Sequence, residues 1–190
     1  MKKNIHVLTL ILTMIFLFSL LGCGKVTGEG KAVNVSELFN GVWNLYSDDE
    51  KFPVAGGDFD HANMEAPDIF DIVANKEAFT ATYLVSGEML ADIDGEVVTL
   101  QHMMNTNTFC AAMFNISDSS KISSYAEEYK KIVQGNQWMC GMPDTVVVMA
   151  VDNAMIISYG EDETVRDFMN KCTSYDPNIT VIINAPAWEE

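Results

Sequence analysis

Positive charge is scarce in this chain. Its 190 residues include 11 lysines and arginines against 27 aspartates and glutamates, a formal net charge of −16. A surface so acidic is repelled by phosphate backbones and anionic headgroups, which argues against nucleic acid as a partner and against adsorption to a membrane through protein surface. Histidine is rarer still, at His6, His61 and His102, and no pair has the His-Glu-x-x-His spacing of a zinc site. A Gly-x-Ser-x-Gly elbow, a phosphate-binding loop and a dinucleotide fingerprint are missing as well. No residue is assigned a catalytic role, no cofactor is expected, and the chain reads as a non-enzyme. Only 5 prolines and an apolar fraction of 48% argue against disorder and for one domain with a sizeable core.

What the sequence does have begins at its start. Lys2 and Lys3 precede a run from Ile5 to Leu21 broken only by His6, Thr9, Thr13 and Ser19, the charged and apolar regions of a secretory signal. The run ends in Leu20-Leu21-Gly22-Cys23, which resembles the lipobox of bacterial lipoproteins. The resemblance implies a diacylglyceryl group on the Cys23 sulfur, cleavage between Gly22 and Cys23, and a stable anchor, because two or three acyl chains each add about 0.8 kcal/mol per buried CH₂. The expected organisation is a signal peptide over residues 1–22, a lipidated, flexible tether over 23–34, and one extracytoplasmic domain over 35–190. Loss of two lysines and no acids with the signal takes the formal charge to −18.

Cys110, Cys140 and Cys172 remain after Cys23. An odd count leaves one internal disulfide at most. Cys110 and Cys172 fall at apolar positions and Cys140 in a loop, so a Cys140–Cys172 bridge is one option.

The fold is expected to be α+β. Leu38, Phe39, Val42, Leu45 and Tyr46 recur at helical spacing behind a cap at Asn34 or Ser36. A long acidic loop over 47–68 and a helical turn near 69–73 follow. Residues 79–85 are rich in β-formers and read as a strand, and Asp94-Gly95 reads as the turn of a hairpin between 90–93 and 96–100. Beyond these come a strand over 108–116 and a helix with an apolar stripe of Ile122, Tyr125, Ala126, Tyr129, Ile132 and Val133. Two strands over 145–151 and 154–159 turn at Asp152-Asn153, and a helix carrying Val165, Phe168, Met169 and Cys172 leads to a last strand over 179–183. That second half has the ferredoxin-like βαββαβ order, an antiparallel sheet with helices on one face.

The lipobox, the tether, the first amphipathic helix, Met103-Met104-Asn105 before a strand and the turn at Asp152-Asn153 together resemble a domain of unknown function found in lipoproteins of Gram-positive bacteria. The resemblance covers about residues 35–172 and implies a location and a fold, with no activity. The chain departs from it at Phe109-Cys110, where the resemblance implies an acidic residue.

Three groups of residues offer binding chemistry. Asp58, Asp60, Asn63 and Glu65 crowd oxygen donors into one loop, as Ca²⁺ requires, against the plain alternative of a solvated acidic loop. His102-Met103-Met104 and Met139-Cys140-Gly141-Met142 hold soft ligands of the sort Cu(I) prefers, against methionine as core filler. Trp138, with its methionine neighbours, either docks on a partner or caps the core. The expected function is a membrane-anchored binding or interaction module of the cell envelope, partnered by the membrane through Cys23 and by another envelope protein. The rival is a metal- or small-ligand-binding lipoprotein serving a transporter.

Overall fold

A computed structural model describes residues 30–104, 107–139 and 141–188. The elements in chain order are helix α1 (Val35–Trp43), strands β1 (Val54–Ala55) and β2 (Asp68–Ile69), helices α2 (Lys76–Tyr83) and α3 (Gly87–Ala91), strands β3 (Ile93–His102) and β4 (Cys110–Ile116), helix α4 (Ile122–Gly135), strands β5 (Thr145–Val151) and β6 (Ala154–Gly160), helix α5 (Asp162–Tyr175) and strand β7 (Thr180–Pro186). The fold is α+β, built on a seven-stranded sheet in the order β1-β3-β4-β6-β5-β7, with β2 also on β3 and every pairing antiparallel.

The βαββαβ order of the second half is present from β4 to β7. The expectation that the helices share one face is corrected. Both crossovers, β4 to β5 through α4 and β6 to β7 through α5, skip one strand and move the same way across the sheet. The starting strands run in opposite directions, so two right-handed crossovers must deposit their helices on opposite faces. Tyr125, Ala126, Tyr129 and Val133 of α4 accordingly pack on Ala112, Phe114, Val146, Val148 and Ile157. Val165, Phe168 and Cys172 of α5 join Leu38, Phe39 and Val42 of α1 on the other face, over Met113, Val147, Met149 and Ile156. Because both faces are covered, β4 to β6 are apolar at nearly every position, and the run Val146-Val147-Val148-Met149 feeds the two cores alternately. Ile132 lies at the margin of the α4 stripe, only partly buried; Val133 is fully buried.

The first half departs further from expectation. Residues 79–85 are mostly helix, because Phe79 and Tyr83 fall one turn apart and their rings, 5.2 Å between centroids, both enter the α4-side core; that burial outweighs the weak β preference of the threonines. The region 69–73 holds the end of β2 and a turn. The expected hairpin at Asp94-Gly95 is one strand with a bulge. Its register on β4 jumps between Asp94 and Val97, and Gly95, at φ +82°, takes the backbone through the bulge. Residues 90–91 belong to α3, whose cap Ser86 accepts from Met89 N–H at 3.0 Å.

The end of the expected tether is pinned to the sheet. Asn115 Oδ1 accepts from Val33 N–H at 2.9 Å and its Nδ2 donates to Val33 O at 2.8 Å, while Asn153 N–H points at Lys31 O. Asn34 Oδ1 then caps α1 by accepting from Glu37 N–H. No helix among the described residues is long and apolar enough to cross a membrane.

The burial difference within α4 gives a stability test. Val133→Asp places an uncompensated carboxyl in a closed core and is expected to cost about 3 kcal/mol or more, whereas Ile132→Asp leaves the carboxyl a route to water and costs clearly less. Thermal or urea denaturation of the two variants measures the difference, and equal losses would contradict this packing of α4.

Candidate functional site

At the end of the sheet where β3 and β6 finish and β4 and β5 begin, buried structure gives way to several exposed apolar side chains. Gly160 ends β6 there at φ +152°, and a Cβ on it would lie 2.6 Å from the Phe109 Cα; only glycine lets the two backbones approach so closely. Tyr159, one residue earlier, donates its hydroxyl to Thr82 O at 2.5 Å and so ties the strand to the last turn of α2. Trp138 packs on Tyr159 with the rings tilted by 58° and their centroids 5.1 Å apart, and its Nε1–H reaches Val133 O at 3.3 Å.

His102 ends β3 at the middle of this region. Its ring lies parallel to Phe52, with centroids 5.1 Å apart, and its Nδ1 accepts from Met104 N–H at 3.0 Å. Burial lowers its pKa, against the opposing pull of the Glu161 carboxylate, so the ring is neutral near pH 7. A backbone N–H can only donate, which leaves Nδ1 the acceptor and puts the proton on Nε2.

Two hollows meet at His102. One, of about 350 Å³, lies among Gly57, Phe59, Met64, Phe70, Tyr83 and Met103. The other, of about 230 Å³, is bounded by Asn107, Cys110, Trp138, Met139 and Tyr159. His102 lines both, and no lysine or arginine lines either. Around this groove large apolar side chains stand in water: Phe59 is 78% exposed, Met139 91%, and Met64, Met103 and Met104 about half. Met142, also exposed, precedes Pro143 and Asp144, whose N–H bonds Gly160 O at the same sheet end.

The acidic loop serves a different purpose from the one its composition suggests. Asp58 is 4% exposed; its Oδ1 accepts from Asp60 N–H and His61 N–H and its Oδ2 from Asp71 N–H. Burial would raise its pKa, but these three donors outweigh it and hold the carboxyl below its usual range. Asn63 spends its side-chain oxygen on Glu65 N–H. Asp60 and Glu65 are exposed. The four residues do not converge, and among the described residues no cluster of three or more His, Cys, Asp or Glu forms a metal site.

The two soft-ligand segments do meet, since His102 and Met139 line one hollow. His102 nevertheless cannot offer Nε2 to a metal while Nδ1 holds the Met104 N–H. Cys110, half buried beside Tyr159, has its thiol pushed up to about 11 by burial and is protonated at neutral pH. Cys172 is a free thiol, fully buried on the opposite face of the sheet. Cys23 and Cys140 lie outside the described residues. Of the two readings of Trp138, the structure bears out the cap: its ring packs on the α4-side core, and Met139 and Met142 beside it face solvent. Phe52 and Tyr159 went unnoticed in the sequence, because one sits beside Pro53 in an acidic stretch and the other ends an apolar run indistinguishable from core.

Since the oxygens of Asp58 are occupied, Ca²⁺ compared at matched ionic strength is expected to shift the melting temperature equally in the parent and in the Asp58→Asn, Asp60→Asn variant; a shift confined to the parent would establish a cation site. Asp58→Ala alone strands three backbone donors and is expected to cost about 2 kcal/mol. A carboxyl held low in the folded state contributes stability that is complete above the unfolded value near pH 4 and lost as pH falls through the folded value. The gap between parent and Asp58→Ala in urea melts should therefore be full at pH 7 and narrow below about pH 4. No protein-family model, no curated protein and no solved structure matches this chain.

Proposed function

We propose that this protein is a lipoprotein, held to the outer face of a bacterial cytoplasmic membrane by lipid on Cys23, and that it serves there as a non-catalytic binding module. The groove around His102 takes a polypeptide segment of another envelope protein. The address rests on the charged start, the apolar run and the box Leu20-Leu21-Gly22-Cys23.

The binding reading is carried by the exposed apolar rim of the groove together with its place in the molecule. The N-terminal segment joins the sheet at Asn115 and Asn153, and the groove opens at the other end of the same strands, at Cys110 and Tyr159. A strand of this length spans about 20 Å, so the groove lies about that far from the point where the N-terminal segment joins the sheet. Exposed methionine and phenylalanine cost solubility unless a partner covers them, and methionine in particular adapts to varied apolar surfaces. A protonated Cys110 and a neutral His102 that uses Nδ1 for backbone support suit recognition better than nucleophilic chemistry. A second reading, a small-ligand-binding lipoprotein serving a transporter, is favoured by the larger hollow, whose 350 Å³ falls within the size range of small-molecule sites.

Photo-crosslinking in cells tests the reading directly. A crosslinker at Met139 or Met103 is expected to trap a discrete protein neighbour, and one at Asp152, beside the anchored end, is not. Adducts from position 152 alone would refute the groove as the docking face. The address has its own test: Cys23→Ser should leave the precursor uncut and alter its detergent partitioning, and a variant still cleaved and still pelleting like the parent would overturn lipidation.

A further inference from the structure

We infer that the segment the groove accepts is basic and amphipathic: an apolar stripe that seats against Met103, Met139 and Trp138, flanked by lysine or arginine. This inference rests on the docking reading and adds the chemistry of the partner. Three observations carry it.

The groove walls hold no cation. Four of the chain's 11 basic side chains are committed to acids elsewhere, Lys121 to Asp92, Lys130 to Glu127, Arg166 to Asp162 and Lys171 to Glu50. Acids, by contrast, flank both hollows. Asp58 lines the first, with Asp60 exposed two residues on and Asp68 packed against Gly57. Glu161 stands by the second, close enough to act on the His102 ring and bonded through Oε2 to Asn107 Nδ2 at 2.8 Å. Asp144 stands where β5 begins and accepts from Asp162 N–H at 3.2 Å.

An apolar trough bordered by acids, with no lysine or arginine in its walls, attracts cationic segments at long range and repels anionic ones, while the exposed thioethers supply contact area that tolerates different apolar residues. An acidic or neutral partner would lose the first contribution, and a purely basic partner without an apolar stripe would leave the methionines in water.

The experiment uses the lipidated full chain in nanodiscs of zwitterionic phospholipid, with methionine methyl groups labelled for NMR and empty nanodiscs as the control for peptide partitioning. The probes are an 18-residue amphipathic helix of leucine and lysine and its counterpart with glutamate in place of lysine. The lysine peptide is expected to shift the methyls of Met103, Met104 and Met139, to leave the buried Met89, Met113, Met149 and Met155 in place, and to bind at least about tenfold more tightly than the glutamate peptide, a ratio that shrinks as salt is raised to about 0.5 M. Met139→Ser, which removes the thioether without adding charge, should weaken it without altering the buried methyls. If both peptides shift the groove methyls alike, docking stands and the basic partner is refuted. If the lysine peptide binds without moving those methyls, or binds the Met139→Ser variant equally, the acidic surface at large is holding it and the inference falls. If neither peptide binds, the inference falls whatever the crosslinks from Met139 have shown.

Discussion

A sheet buried on both faces governs the rest of this molecule. Each central strand must be apolar at consecutive positions, and β4, β5 and β6 meet that demand almost without exception. Two separate cores follow, one under α2, α3 and α4 and the other under α1 and α5, divided by the backbone of the sheet. The direction of the two crossovers makes the division unavoidable. Had α5 returned across the sheet against the sense of α4, both helices would share a face, and the side now covered by α1 and α5 would need α1 alone to hide Met113, Val147, Met149 and Ile156. As built, α1 and α5 lie against each other through the tilted rings of Phe39 and Phe168, 5.5 Å apart. The N-terminal helix is thus part of the core laid down by the last crossover, which joins the two halves of the chain into one folding unit.

That same constraint explains which parts of the fold are readable from sequence. Where apolar positions run consecutively, as in residues 145–151, or recur at helical spacing, as from Ile122 to Val133, element type follows from the pattern and agrees with the structure. Order along the chain is readable too, since β4 to β7 alternate with α4 and α5 as expected. The side each helix occupies is not, because it depends on the direction of a crossover in space. Residues 79–85 mislead for another reason. Their composition favours strand, but a helix brings Phe79 and Tyr83 against Phe70 and Phe114, and those partners are distant in sequence. Asp94-Gly95 misleads because a positive-φ glycine serves a bulge inside one strand as well as a turn between two.

Site chemistry is harder to read than fold for a related reason. A cluster of acids in sequence says nothing of whether the carboxylates face a common point. Asp58 faces inward to organise its own loop, Asn63 bonds to the backbone of the same loop, and Asp60 and Glu65 face solvent. The segments around His102 and Met139 are about 40 residues apart in sequence and share a hollow only because β3 and β4 bring their ends to the place where the chain leaving α4 passes. Even then the backbone decides what His102 can do, through the single N–H that occupies its Nδ1.

The two ends of the sheet are chemically unlike, and the difference is built from short polar contacts. At one end Asn115 and Asn153 hold the incoming N-terminal segment by its backbone. This uses both ends of the Asn115 amide inside the molecule. At the other end Gly160, Tyr159, Trp138 and His102 are occupied with one another and with nearby backbone, and the surface presented to solvent is thioethers and one phenyl ring flanked by carboxylates. A chain with so few cations cannot cover that surface with its own ion pairs, since four of its basic side chains already lie against acids elsewhere. The excess of acid biases by charge what can approach the exposed end. On the docking reading proposed above, the composition that selects the partner is also the one that sets like charge between copies of the chain and so keeps them from meeting at the apolar rim.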